Sequence, residues 1–356
     1  MAVEWMVNGI LFLVVRRLVL WYVQQKFSTF IFIVLNPNFG GERMTEPKQA
    51  FVFPGQGSQN VGMGRELWDA SRAAREVFQE ADDTLNFWLS RLIFEGPPRD
   101  LQETINSQPA IMVVSIACWK AWQEYLGKQA PQPAAVAGHS LGEYTSLVAA
   151  GVISFADGVW LVRQRGRLMH QAGLDRPGGM AAIIGLEELA FEHICAETGV
   201  ELANINSDEQ IVISGDKIAV ARAIDLALAR GARKAIPLPV SGAFHSSLML
   251  GAQTGLIAAL DQLTLGEPMV PIVANATSQP LTTADAVREE LIEGLCKCVQ
   301  WKQSVLNMME AGVTQFVEFG PSRVLSSMIK RINRNVQAVT ISGPKFSDVD
   351  SLVSKS

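Results

Sequence analysis

The chain has 356 residues, 48% apolar and 18% charged, enough to bury a core in two or three domain-sized units or in one large domain with an insertion. A formal net charge of -5 excludes the basic face that a nucleic-acid binder needs, so no nucleic-acid partner is expected. The four cysteines (Cys118, Cys195, Cys296 and Cys298) form no CxxC pair, and four histidines give no zinc spacing, so the thiols read as free and no metal is expected.

Residues 1–43 differ from the rest. Apolar runs at 10–15, 18–23 and 30–35 are interrupted by Arg16 and Arg17. Two arginines inside a span of about 20 residues are a poor fit to a transmembrane helix, and the segment lacks the order of a signal peptide. It reads as a hydrophobic extension preceding Met44, as an interfacial anchor, or as an unusual targeting peptide. Membrane contact is expected only through it, and the compartment is expected to be the cytoplasm or a plastid stroma.

From Ala50 onward, short apolar runs alternate with helical spacing, the pattern of an α/β fold. A strand at AFVF ends in a Pro/Gly turn. The spacing predicts a helix over 61–88 and a long apolar helix from Gln108 to Leu126, with Pro109 in its first turn. A strand at AAVAG follows, then helices over 141–150 and 155–173, stopped by Gly151 and Gly173. Residues 177–242 read as β-α-β-β-α-β, a ferredoxin-like order, and so as a small inserted domain. The hydrolase-like core with its parallel sheet then comprises 49–176 and 243–342. Its second part holds a helix reaching about Leu263, a strand at IVAN, a helix over 282–297 and a last strand at QFVEFG. On that helix Cys296 and Cys298 would point apart. Residues 343–356 form a tail.

The strongest local signal is Gly138-His139-Ser140-Leu141-Gly142, a GxSxG pentapeptide between an apolar strand and a helix. There a serine hydroxyl projects into a cleft, and the N–H of Leu141, at the helix start, can stabilise an oxyanion. A serine needs a base. His139 lies in the turn and should point away, His170 ends a helix, and His193 lies on an exposed face of the insert. His245 sits where the insert returns to the core; position alone leaves it as the base or as an ordinary capping or core histidine. The turn Pro54-Gly55-Gln56-Gly57 lacks the P-loop ending. It is either a plain tight turn or a source of a second oxyanion N–H at Gln56. Arg165 is placed by helical spacing toward the core, where a buried guanidinium needs an anion, either a structural partner or a ligand carboxylate.

FVFPGQGSQ at 51–59, GHSLGEY at 138–144, RQRGRLM at 163–169, GAFHSSLM at 242–249 and VQW at 299–301 stand in one order. Together they resemble the malonyl-CoA:acyl-carrier-protein transacylase family of the bacterial and plastid type, over about Gln49 to Ile341. The resemblance implies that Ser140 is the nucleophile and His245 the base, with Gln56 and Leu141 forming the oxyanion hole. It implies that Arg165 binds the malonyl carboxylate, with Met169 nearby, and that Gln300 orients His245 through its carbonyl. Asn204 and Asn206 would face the cleft from the insert, and Phe244 looks like the malonyl-selecting form. Malonyl-CoA and acyl carrier protein would be the partners, with no metal or other cofactor and a monomeric chain. A docking patch for an acidic carrier is sought at Lys217, Arg222, Arg230, Arg233 and Lys234. A serine hydrolase, a related acyltransferase with another acyl group, and a non-catalytic carrier-binding protein are the alternatives. The 43-residue front has no counterpart in the family.

Overall fold

The computed structural model describes residues 47–347; the extension at 1–43 and most of the tail lie outside the described residues. The strands are β1 (Lys48–Phe53), β2 (Ala135–Gly138), β3 (Gly178–Ile184), β4 (Glu201–Ser207), β5 (Gln210–Asp216), β6 (Lys234–Pro237), β7 (Ile272–Val273), β8 (Pro280–Leu281), β9 (Val313–Phe319) and β10 (Gln337–Ile341). The protein is an α/β fold. Its main sheet runs β10-β9-β1-β2-β7-β8, parallel throughout except where β8 pairs antiparallel with β7. β1 and β2 are buried on both faces, which explains their continuous apolar runs. Phe319 at the end of β9 locks the layers: its ring lies 5.1 Å from Phe51, 6.0 Å from Phe53 and 5.4 Å from Trp122 of the helix Thr104–Leu126.

Residues 178–237 make a second, antiparallel sheet of order β4-β5-β3-β6. One face carries Ala181, Ile183 and Ile213 against the helices Glu188–Thr198 and Lys217–Ala229 through Phe191, Ile194, Val220 and Ala223. The other face joins the main core through Met180, Ala182 and Val212.

Four local expectations change. The helix over 61–88 is broken at Ser71, which turns extended, caps the helix Arg72–Leu85 by accepting from the Ala74 N–H, and donates to Glu124. The long apolar helix starts at Thr104, so Pro109 lies inside it. The carbonyl that Pro109 cannot serve, that of Ile105, accepts instead from Arg163 Nη1 at 2.9 Å. Gly173 does not end its helix, which runs Phe155–Asp175; a side chain there would meet the Ser241 carbonyl at 2.6 Å, so the glycine permits a close crossing. The helix predicted over 282–297 ends at Glu293, leaving Cys296 and Cys298 in the following turn rather than on helical faces. β10 and the helices Trp301–Glu310 and Val324–Ile332 went unread in the sequence; β10 is a half-exposed edge strand with no apolar run.

Removing the aromatic lock creates a cavity that the packed layers cannot collapse to fill. Phe319→Ala should lower unfolding free energy by about 3–5 kcal/mol, read from urea denaturation.

Candidate active site

Three neighbouring parallel strands, β1, β2 and β7, end side by side, Phe53 opposite Gly138 and Ala137 opposite Val273. The residues that follow them, Gln56, Ser140 and Asn275, are therefore gathered at the carboxyl edge of the sheet, where open α/β sheets place ligands. After β2 the chain turns sharply. Ser140 has φ 52° and ψ -102°, a conformation that costs about 1–3 kcal/mol for a residue with a side chain. The flanking glycines permit the turn. A Cβ on Gly138 would lie 1.8 Å from the Gly142 carbonyl carbon, and one on Gly142 would lie 1.9 Å from the Phe53 oxygen.

The Ser140 hydroxyl lies 2.7 Å from His245 Nε2. His245, itself at φ 56° and 4% exposed, turns Nδ1 toward two carbonyls, Gly294 at 3.0 Å and Lys297 at 3.1 Å. Carbonyls only accept, so Nδ1 carries the proton and Nε2 is left to accept from Ser140. Burial first, then the charges of Arg165 and His139, holds the imidazole down to about 3. The neutral form, the one that can accept a proton, is thus the resting form.

Arg165 enters from the helix Phe155–Asp175. It is 2% exposed, donates from Nη2 to Ser140 Oγ at 3.1 Å and from Nη1 to Gln108 Oε1 at 2.8 Å, and stacks over the Tyr144 ring at 4.9 Å. No carboxylate forms an ion pair with it among the described residues, and its Nε is a buried donor without a partner there. Gln108 Nε2 reaches Gln56 Oε1 and Met169 Sδ, each at 3.4 Å, so Gln56, Gln108 and Met169 form one wall around the guanidinium. Neither the Gln56 nor the Leu141 main-chain N–H donates to another group among the described residues.

Residues 50–351 match the model of the acyl transferase domain family. The chain is 44% identical over 303 residues to the malonyl CoA-acyl carrier protein transacylase of Bacillus subtilis strain 168, covering 84% of this chain and 94% of the relative. It is 42% identical over 299 residues to the protein of that name from Escherichia coli K12, covering 83% and 96%.

The chain belongs to the malonyl CoA-acyl carrier protein transacylase family.

Solved members of this acyltransferase family superpose closely. An acyl carrier protein S-malonyltransferase from Vibrio cholerae matches with TM-score 0.81 at 40% identity, covering 85% of this chain and 99% of that one. A malonyl-transacylase in complex with its type II polyketide acyl-carrier protein matches with TM-score 0.82 at 39% identity, covering 87% and 100%.

Within this transacylase fold the expected residues are distributed unevenly. Ser140, His245 and Arg165 converge, with Gln56, Leu141 and Met169 around them. Gln300 does not orient His245. It caps the helix Trp301–Glu310, and its carbonyl accepts from the Ser304 N–H at 2.9 Å and from Ser278 Oγ at 3.2 Å. The carbonyls at His245 come from the turn after Glu293, which a helix carried through to 297 would have hidden. Asn204 is buried on β4 and bridges to Val299, with no hydrogen bond to Ser140, His245 or Arg165. Asn206 meets His139 instead, Oδ1 to Nε2 at 2.8 Å, turning that imidazole from Ser140. Of the five basic residues considered for docking, Arg230 pairs with Glu197 and Arg233 with Glu209, while Lys217, Arg222 and Lys234 are exposed. The sequence reading missed Gln108, Tyr144, Asn275, Gly294 and Lys297. A buried polar residue on an otherwise apolar helix was the available signal for Gln108. Among the described residues no helix is long and apolar enough to cross a membrane, and no cluster could hold a metal ion.

An unfolded histidine takes up a proton near pH 6.5, the folded His245 only near 3, so the unfolded state binds more protons in between. This contribution to stability is present above about pH 6.5 and is lost as pH falls toward 3. His245→Gln removes it. The stability difference between wild type and His245→Gln, measured by urea denaturation, should move against the wild type by about 2 kcal/mol between about pH 6.5 and pH 5.

Proposed function

We propose that this protein moves a malonyl group from malonyl-CoA to the phosphopantetheine thiol of an acyl carrier protein, through an ester on Ser140, supplying fatty-acid synthesis. The observation that carries this reading is the buried guanidinium of Arg165, 3.1 Å from the Ser140 hydroxyl and without an ion-pair partner among the described residues. A planar guanidinium grips a carboxylate through two parallel N–H donors, and a dicarboxylic half-thioester is the acyl donor that brings a carboxylate to that position. An acyl donor without a charge leaves this buried guanidinium without a carboxylate in direct contact.

His245 Nε2 takes the proton from Ser140 Oγ as the oxygen attacks the thioester carbonyl. The N–H groups of Gln56 and Leu141 receive the developing oxyanion. The C–S bond breaks, and the imidazolium returns its proton to the departing CoA sulfur. The carrier's thiol then gives its proton to His245 and attacks the ester. The C–O bond breaks, and Ser140 Oγ regains the proton. The two half-reactions share one site, so the kinetics are ping-pong. The bound malonyl carboxylate neutralises Arg165, one of the charges that hold His245 unprotonated, so the imidazole becomes a stronger base when the correct substrate is present. A serine hydrolase would hold its imidazole with an acid; here two main-chain carbonyls do so.

Mixing the enzyme with malonyl-CoA should give a malonyl adduct on Ser140 by intact-mass spectrometry, absent in Ser140→Ala; an unmodified wild-type chain removes the reading. Arg165→Ala should slow malonyl transfer by about 10–100-fold while changing acetyl transfer by much less. Equal loss for both acyl groups removes the carboxylate assignment.

A further inference from the structure

Behind the elbow lies a buried polar cluster that the transfer chemistry does not use. Asn275, 4% exposed, follows β7 where the strand pairing with β2 has ended. Its side chain continues that pairing. Oδ1 accepts from the Ser140 N–H at 2.7 Å, and Nδ2 donates to the Gly138 carbonyl at 2.7 Å. The two bonds grip the turn on both sides of His139. Only a side chain that both donates and accepts satisfies them, and the amide does so without charge.

The main chain of Asn275 extends the grip. Its N–H donates to Glu143 Oε1 at 2.9 Å, and the next N–H, of Ala276, donates to Glu290 Oε1 at 2.7 Å. Glu143 and Glu290 are both buried and within hydrogen-bonding reach of one another. Burial first, then the neighbouring Glu290 carboxyl, raises Glu143 well above the usual carboxylate range, and burial raises Glu290 too. The Glu290 carbonyl accepts from the Gly294 N–H at 2.7 Å, and the Gly294 carbonyl faces His245 Nδ1 at 3.0 Å. An unbroken path therefore runs from the Ser140 main chain to the imidazole without passing through the hydroxyl.

We propose that Asn275, backed by the Glu143–Glu290 carboxyl pair, is a positioning residue that fixes the Ser140 elbow against the Gly294 carbonyl and thereby sets the Ser140–His245 hydrogen bond. This deepens the acyl-transfer reading and rests on it for the identity of the substrate alone.

The test uses two readouts on the full chain. One is labelling of Ser140 by a fluorophosphonate, which depends on the Ser140–His245 pair and not on the acyl donor. The other is steady-state malonyl transfer, with kcat and KM separated. Asn275→Ala and Asn275→Asp should each slow labelling and lower kcat by about 100-fold, with KM within about 3-fold, because the substrate contacts are untouched while the attack geometry is lost. Glu290→Gln keeps an acceptor for the Ala276 N–H and a donor for Glu143 and should stay within about 3-fold of wild type, whereas Glu290→Ala should lose about 10-fold or more. Wild-type rates in folded Asn275 variants, or a change confined to KM, overturn the proposal. Should the Asn275 variants fail to fold, equal rates for Glu290→Gln and Glu290→Ala overturn it. A wild-type chain that is labelled by the fluorophosphonate yet takes no malonyl group overturns the substrate reading and leaves this one standing.

Discussion

The hydrogen bond between Ser140 and His245 is the constraint around which the rest is arranged. Both residues sit at positive φ, one at the end of a buried strand and the other at the return from the second sheet. Neither conformation is favourable alone. The surrounding structure enforces each: glycines where the elbow crosses β1, Asn275 gripping the elbow, and two carbonyls holding the imidazole ring. Local strain of this kind persists only where such packing over-determines it.

Electrostatics supply the second half. A guanidinium and two imidazoles lie close together in a desolvated pocket, where burial and the neighbouring Arg165 and His139 disfavour a proton on His245, and burial disfavours one on His139. The same guanidinium that disfavours a proton on His245 donates to Ser140 Oγ, so in the proposed reaction acyl-donor recognition and base strength are coupled through one residue, Arg165. The orientation of His245 by carbonyls rather than a carboxylate fits this balance. An anion at Nδ1 would raise the imidazole's affinity for a proton and offset the effect of Arg165.

Much of the site was legible in the chain because its motifs are local. The GxSxG turn carries its own geometry in glycines and a following helix, and the strand–helix alternation gave the α/β class. Arg165 was legible as a buried cation from helical spacing. The role given to Gln300 came from the family resemblance and not from local pattern; the carbonyls that face the imidazole are those of Gly294 and Lys297, in the turn that follows the helix ending at Glu293. Pro109 misled because its position inside a helix depends on Arg163, distant in sequence, taking the carbonyl it leaves unserved.

By itself the sequence determined the elbow, the apolar strands that must be buried, and a cation that must find an anion, since each follows from residues within a few positions of one another. Only the tertiary structure decided which histidine meets Ser140, 105 residues away, and which carbonyls hold it. It also decided that Asn275 braces the elbow from 135 residues away, because a parallel sheet sets strand ends beside each other in an order the chain does not follow. Hydrogen-bond partners across that edge are fixed by register and crossover, and neither leaves a periodic mark in the residues themselves.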